Sequence, residues 1–184
     1  MNKRPPILLG VIVLVVALAA LVGAQVVFAQ LNPTPVQPVG FTHVTHAGQL
    51  EISCLFCHRN ADKGPNASVP AVQQCMFCHS VVAGETVDKQ TEIAKVRAAF
   101  QDGQPIDWLR VHRMPDTVRF VHEAHVRGLT ARYPGIAIQN LCATCHGGVS
   151  NMVQVSQVVR LKMGDCVACH RATGAPTDCI TCHK

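Results

Sequence analysis

Aromatic side chains are scarce in this sequence: six Phe, one Tyr and one Trp make up 4% of its 184 residues. Large rings normally supply much of a domain's buried area, so the space they would fill must be taken by something else. Apolar runs of a length and alternation suited to strands are missing too, which leaves helices and irregular segments as the material of the fold. Acidic residues are few: 11 Asp plus Glu face 16 Lys plus Arg, for a net charge of +5. That surplus is too small to argue for a nucleic-acid partner. No cysteine is spare, because all ten fall inside one repeated pattern, so none is left for a lipid anchor.

The pattern is Cys-x-x-Cys-His, present five times: Cys54 to His58, Cys75 to His79, Cys142 to His146, Cys166 to His170 and Cys179 to His183. It is the attachment signal for c-type haem. Cys54, Cys57, Cys75, Cys78, Cys142, Cys145, Cys166, Cys169, Cys179 and Cys182 are read as forming thioethers to five covalent haem c groups. His58, His79, His146, His170 and His183 become the proximal iron ligands. A disulfide framework gives no reason for a histidine after every second cysteine. Zinc sites place their histidines at wider offsets, and a thioredoxin-like pair occurs once per domain. Ten propionates from five haems also give the Lys and Arg residues local anions to pair with. The arginines concentrated between Arg110 and Arg132 (Arg113, Arg119 and Arg127 among them) either clamp these groups or form a solvated face.

Residues 1–30 carry Lys3 and Arg4 ahead of an apolar run from Ile7 to Ala24, then Gln25 and a second short run to Ala29. A signal peptide ends its shorter apolar core at a small-residue site, for which VFA before Gln30 would serve. The length of this run favours an uncleaved membrane anchor. The positive charges keep the N-terminus cytoplasmic and place the remainder across the membrane, where c-type haem is attached. Residues 31–40, LNPTPVQPVG, hold three prolines and read as a semi-rigid linker reaching up to about 30 Å. Residues 41–184 form the haem domain, with roughly 29 residues for each haem, so the porphyrins themselves must make up much of the core.

The five remaining histidines are not scattered. FTHVTH (Phe41 to His46) recurs as FVHEAH (Phe120 to His125), each an F-x-H-x-x-H with a glycine soon after, Gly48 and Gly128. Two motifs follow the first copy and three follow the second, so the chain reads as a duplicated module extended at its C-terminus. Histidines three apart share one side of a helical turn. They cannot reach the opposite faces of one iron, so each must serve a different haem. His43, His46, His122 and His125, with His112 as the fifth, balance the five proximal histidines and make every iron bis-histidine. Met114, Met152 and Met163 are rival ligands for one haem; Met76 lies inside a motif. With the irons closed, the chain is expected to be an electron carrier and no enzyme by itself. The clearest helix is Val87–Gly103, with Ile93, Val96 and Phe100 on one stripe and Gly103 as its C-cap, while Pro105, Pro115 and Pro134 punctuate the gap that follows.

The segment RVHRMPDTVRFVHEAHVRG (Arg110 to Gly128, with Trp108-Leu109 before it), CATCHGGVSNM, LKMGDCVACHR, FTHVTHAG and the N-terminal apolar run together resemble the pentahaem, membrane-anchored cytochrome c subunit (ActA) of alternative complex III. The resemblance covers nearly the whole chain. It departs from the family pattern, which is more aromatic, at Thr117, Val118 and Arg119. It implies a mostly irregular and α-helical multihaem cytochrome c, made of modules like those of cytochromes c3 and c7, with one N-terminal transmembrane helix. The haem domain would face the periplasm from the inner membrane. Its partners would be an iron–sulfur subunit and integral membrane quinol-binding subunits, with a periplasmic monohaem cytochrome or copper protein as acceptor. Two other arrangements fit the motifs: a stand-alone membrane-anchored quinol dehydrogenase, for which His43 or Glu51 would be the protonatable group, and a secreted multihaem carrier.

Overall fold

The computed structural model describes residues 6–31, 34–159 and 161–184, which fall into two units, Met1–Pro35 and Val36–Lys184. In the first, helix α1 runs over Pro6–Leu31, 26 residues. At 1.5 Å per residue that is about 39 Å, longer than the ~30 Å hydrocarbon layer of a bilayer. Its window Leu8–Gln25 has no buried residue and carries no charge. One helix is therefore long and apolar enough to cross a membrane. Lys3 and Arg4, on which the orientation rests, lie outside the described residues, as do Asn32 and Pro33 of the proline-rich stretch.

The second unit is helical and irregular: α2 (Cys54–Cys57), α3 (Val72–His79), α4 (Val87–Gln101), α5 (His122–Arg132), α6 (Ile138–His146), α7 (Met163–Thr173) and α8 (Cys179–Cys182). A π-helical turn at Val44–Gln49 and a 3-10 turn at Val149–Asn151 complete it. Among the described residues there is no strand; a lone antiparallel bridge joins Val118 and His183.

Helix α4 begins where the Thr86 hydroxyl accepts from the Lys89 N–H at 3.3 Å, a side-chain N-cap. It ends at Gln101, and Gly103 follows at φ +64°, in the left-handed region that glycine adopts without steric cost. Val96 faces inward from α4 and packs with Val72 of α3 and Val39, flanked by Cys75, Met76, Ala99, Ile106 and Trp108. Phe100, expected on the same stripe, is 42% exposed. The Arg97 guanidinium donates to the His79 carbonyl at 2.7 Å, tying α4 to the end of α3.

The later half of the proline-rich stretch packs into this unit. Val39 is one of its buried residues. The Gln37 amide both donates to the Leu109 carbonyl and accepts from the Leu109 N–H, each at 2.9 Å. The Gly40 N–H donates to the Glu92 carboxylate at 2.6 Å. What the composition reads as a spacer is held here by backbone bonds that proline content does not forbid.

Side-chain burial is sparse. Among the described residues the buried apolar ones are Val39, Ala61, Val72, Val96 and Leu141, and no large side chain is fully buried. The buried Gln74 donates to the Phe56 carbonyl. A domain of about 150 residues ordinarily buries some two-thirds of the surface its unfolded chain exposes. Five small apolar side chains do not amount to such a core.

Candidate haem centres

Each Cys-x-x-Cys lies on a helical turn: α2 and α8 consist of one, α3 and α6 carry theirs toward the C-terminal end, and α7 carries its own in the middle. Residues i and i+3 of a helix share a side, so the two thiols of a motif lie on one side of the turn; the following histidine ends or continues the helix in α3, α6 and α7 and caps it after α2 and α8. No disulfide pairs these cysteines. Burial pushes the thiols of Cys57, Cys75, Cys145 and Cys166 up. The neighbouring Cys142 thiol draws Cys54 down to about 6, and Cys54 with burial pushes Cys142 up.

The two F-x-H-x-x-H copies have the same local geometry. Phe41 stacks on His46 with ring centres 4.4 Å apart and meets His43 edge-on at 4.9 Å. Phe120 stacks on His125 at 4.3 Å and meets His122 edge-on at 4.9 Å. The Nδ1–H of His46 donates to the Thr42 carbonyl at 2.9 Å, and that of His125 to the Val121 carbonyl at 2.7 Å. The phenylalanine belongs to the repeated sequence, yet its role as a platform for the second histidine comes from the structure.

Four further histidines are oriented through Nδ1: His58 on the Ser68 carbonyl at 2.6 Å, His79 on Val82 at 3.1 Å, His122 on Pro65 at 3.0 Å and His170 on Pro176 at 2.5 Å. A carbonyl can only accept, so each Nδ1 carries a proton, and in the neutral ring the lone pair is the one on Nε2. A backbone carbonyl on the far nitrogen is what holds a metal-ligating histidine in orientation. No sequence pattern announces these carbonyls.

Three pairs of histidines oppose each other at nearly the same separation, with interplanar angles of 61°, 46° and 8°. His46 lies 6.0 Å from His79, His125 lies 6.0 Å from His170, and His122 lies 6.3 Å from His146, between ring centres. Two imidazoles on opposite sides of one metal, each at a metal–nitrogen distance of about 2 Å, have ring centres roughly 6 Å apart. His43 lies near His58, and burial together with the neighbouring His58 and His46 lowers its pKa to about 4. His146 is lowered to about 4 by burial, with His112, His122 and His58 adding to it. Burial also lowers His112. These imidazoles stay neutral at pH 7, the form that ligates a metal.

His112, the candidate for the remaining motif, has its ring centre 4.6 Å from His146 and nearly perpendicular to it, closer than two ligands across one iron. Its Nε2 and the Nδ1 of His43 are buried without a hydrogen-bond partner, a costly state that a metal bond would relieve. The motif containing His183 is pinned by backbone bonds, Arg119 N–H to the Cys182 carbonyl at 2.7 Å and Lys184 N–H to the Thr117 carbonyl at 3.1 Å. Of the rival methionines, Met163 is 69% exposed in the first turn of α7. Arg127 donates to the Asp62 carbonyl at 3.0 Å and pairs with Glu123 at 3.1 Å, a structural duty within the arginine-rich segment. An apolar cleft of about 290 Å³ between α5, α6 and α7 opens beside Cys169, lined by Leu129, Tyr133, Ile136 and Leu141 among others.

Among the described residues no group of three His, Cys, Asp or Glu converges on one point. A zinc site draws four ligands together, whereas a haem iron takes two from the protein. No family model matches this chain, and no curated protein matches it either.

Proposed function

We propose that this chain carries five covalent haem c groups and serves as the electron-transfer subunit of a quinol-oxidising membrane complex. The observation that carries the haem reading is the set of three histidine pairs at 6.0–6.3 Å. Each joins a motif histidine to a member of the F-x-H-x-x-H repeat. The porphyrins would supply one-electron exchange between ferric and ferrous iron. The protein's own residues attach them through paired thiols and hold imidazole Nε2 atoms ready on both faces. Burial favours the neutral form of His43, His112 and His146, and backbone carbonyls orient His46, His58, His79, His122, His125 and His170 through Nδ1. The scarcity of buried side chains supports macrocycles as the missing interior.

Helix α1 supports a single-pass anchor; on this reading the haem domain lies on the periplasmic side and electrons pass from an iron–sulfur partner to a periplasmic acceptor. The test begins with the intact mass and pyridine haemochrome spectrum of the purified chain, where five c-type haems are expected and fewer than four would sink the reading. Solubilised membranes run on a native gel and stained for haem then separate the assemblies. A large band containing an iron–sulfur subunit and polytopic proteins supports the complex. A small species reduced directly by quinol points to a stand-alone dehydrogenase. Haem in the soluble fraction alone points to a secreted carrier.

A further inference from the structure

The two copies of the repeat dock crosswise. The second copy sits on the loop after the first motif: the backbone N–H and Nδ1–H of His122 both donate to the Pro65 carbonyl, at 3.1 and 3.0 Å, and the Glu123 N–H donates to Gly64 at 3.0 Å. Arg127 adds its bond to the Asp62 carbonyl in the same loop. The first copy sits on the loop after the third motif. Its turn Val44–Gln49 lies so close to the turn Val149–Asn151 that a Cβ on Gly48 would come 2.5 Å from the Ser150 carbonyl. The first and third motifs hold equivalent places in the duplication. Each histidine pair therefore rests on the loop of the other module's leading motif.

Reciprocity of this kind is the property of a two-fold interface, in which residue i meets j and j meets i. A residue on such an axis must meet its own equivalent. Cys54 and Cys142, the leading cysteines of the first and third motifs, are close enough across the junction for each thiol to act on the other. The corresponding histidines, His58 and His146, are near neighbours there as well. Outward from the junction, Cys57 neighbours Cys75 and Cys78 of the second motif, Cys145 neighbours Cys166 and Cys169 of the fourth, and Cys166 neighbours Cys182 of the fifth.

The symmetry is not complete: His122 donates to the Pro65 carbonyl through Nδ1, whereas the Nδ1 of its counterpart His43 has no partner. Aligning Phe41 with Phe120 makes Gly40 the counterpart of Arg119. The Gly40 N–H binds the Glu92 carboxylate of α4, whereas the Arg119 N–H binds the Cys182 carbonyl of the fifth motif. Helix α4 in the first module and the fifth motif in the second thus occupy corresponding positions.

We infer that the haems of this chain, on the reading proposed above, lie in one unbranched row in the order second, first, third, fourth, fifth motif, with a pseudo-two-fold axis between the first and third. Electrons enter and leave at its ends, the haem of Cys75–His79 and that of Cys179–His183.

The test locates the five irons of the full-length holoprotein by anomalous diffraction at the iron absorption edge. The expected result is a row in that order, with one two-fold rotation superposing the first iron on the third and the second on the fourth. A branched or closed arrangement, or a fifth iron next to the second, would overturn it. The haem count from intact mass is read first. A chain without haem overturns the underlying reading, whereas five haems in another order overturn the order alone. As a second measurement, the Cys142→Ala/Cys145→Ala double variant removes the third haem in mid-row, and Cys179→Ala/Cys182→Ala removes the fifth. Pulse reduction from a reductant tethered near the fourth motif should lose rapid electron sharing with the first and second haems in the former and keep it in the latter. Equal sharing in both would also overturn the row.

Discussion

Phe120 lies nearly parallel to the imidazole of His125, ring centres 4.3 Å apart at 22°, and Phe41 does the same to His46 at 4.4 Å and 26°. In both copies the ring is flanked by the bond from the histidine Nδ1 to the carbonyl four residues back. The two contacts together leave the imidazole little freedom to turn away from the motif histidine opposite. Phe120→Ala should retain all five covalent haems but cost about 1 kcal/mol of unfolding stability and loosen ligation at the fourth motif. The reduced protein would then bind carbon monoxide at a fraction of one site, read from the Soret shift; a spectrum identical to that of the parent would count against the platform role.

His46→Ala removes the partner of His79, and His125→Ala the partner of His170. Each should keep five haems by mass and open one axial position, so that reduced protein takes up one carbon monoxide per chain; the double variant should take up two. Uptake of none by either single variant would show that other residues close those irons.

Gly48 and Gly128 both follow the histidine pairs, yet their surroundings differ. A Cβ at Gly48 meets the Ser150 backbone at 2.5 Å, while at Gly128, inside α5, nothing lies within 4 Å. Gly48→Ala should therefore destabilise by about 1–3 kcal/mol, since a backbone carbonyl cannot swing aside. Gly128→Ala should be neutral or stabilise by roughly 0.5–1 kcal/mol, the helix gain of alanine over glycine. Denaturant midpoints compare the two, and equal effects would contradict the crosswise docking.

His43 and His146 are held down to about 4 from an ordinary 6.5, chiefly by burial. As the pH falls from 6.5 toward 4, the unfolded chain takes up protons that the folded one refuses. Stability should drop through that window and level off below it. Urea midpoints at pH 7, 5.5 and 4.5 check this; an unchanged midpoint between 7 and 4.5 would mean these rings are not kept neutral by the fold.

Removing residues 1–30 should move the protein from the detergent-dependent fraction to the soluble one with its haem spectrum intact, because α1 belongs to a unit separate from Val36–Lys184. Membrane retention of the shortened chain would point to a second attachment surface.

Local features were legible in the residues. The apolar run gives α1, and the Val87 stripe with its glycine gives α4 to within two residues of its end. The five motifs and the duplicated F-x-H-x-x-H stand out because covalent attachment and helical spacing act over fewer than six residues. Residues 36–40 were harder to read, since prolines suggest an extended spacer, and Val39 and Gln37 find their partners in α4, Val72 and Leu109 only after the chain has folded back.

The sequence by itself determined how many Cys-x-x-Cys-His motifs there are, which other histidines accompany them, and that an apolar helix precedes them. The tertiary structure alone decided which histidine faces which, because that depends on contacts between residues tens of positions apart. His122 is aimed by the carbonyl of Pro65, His58 by that of Ser68, and the first histidine pair by its seat against Ser150. Backbone carbonyls look alike at every residue, so their placement leaves no mark in the sequence and exists only once the two modules have docked.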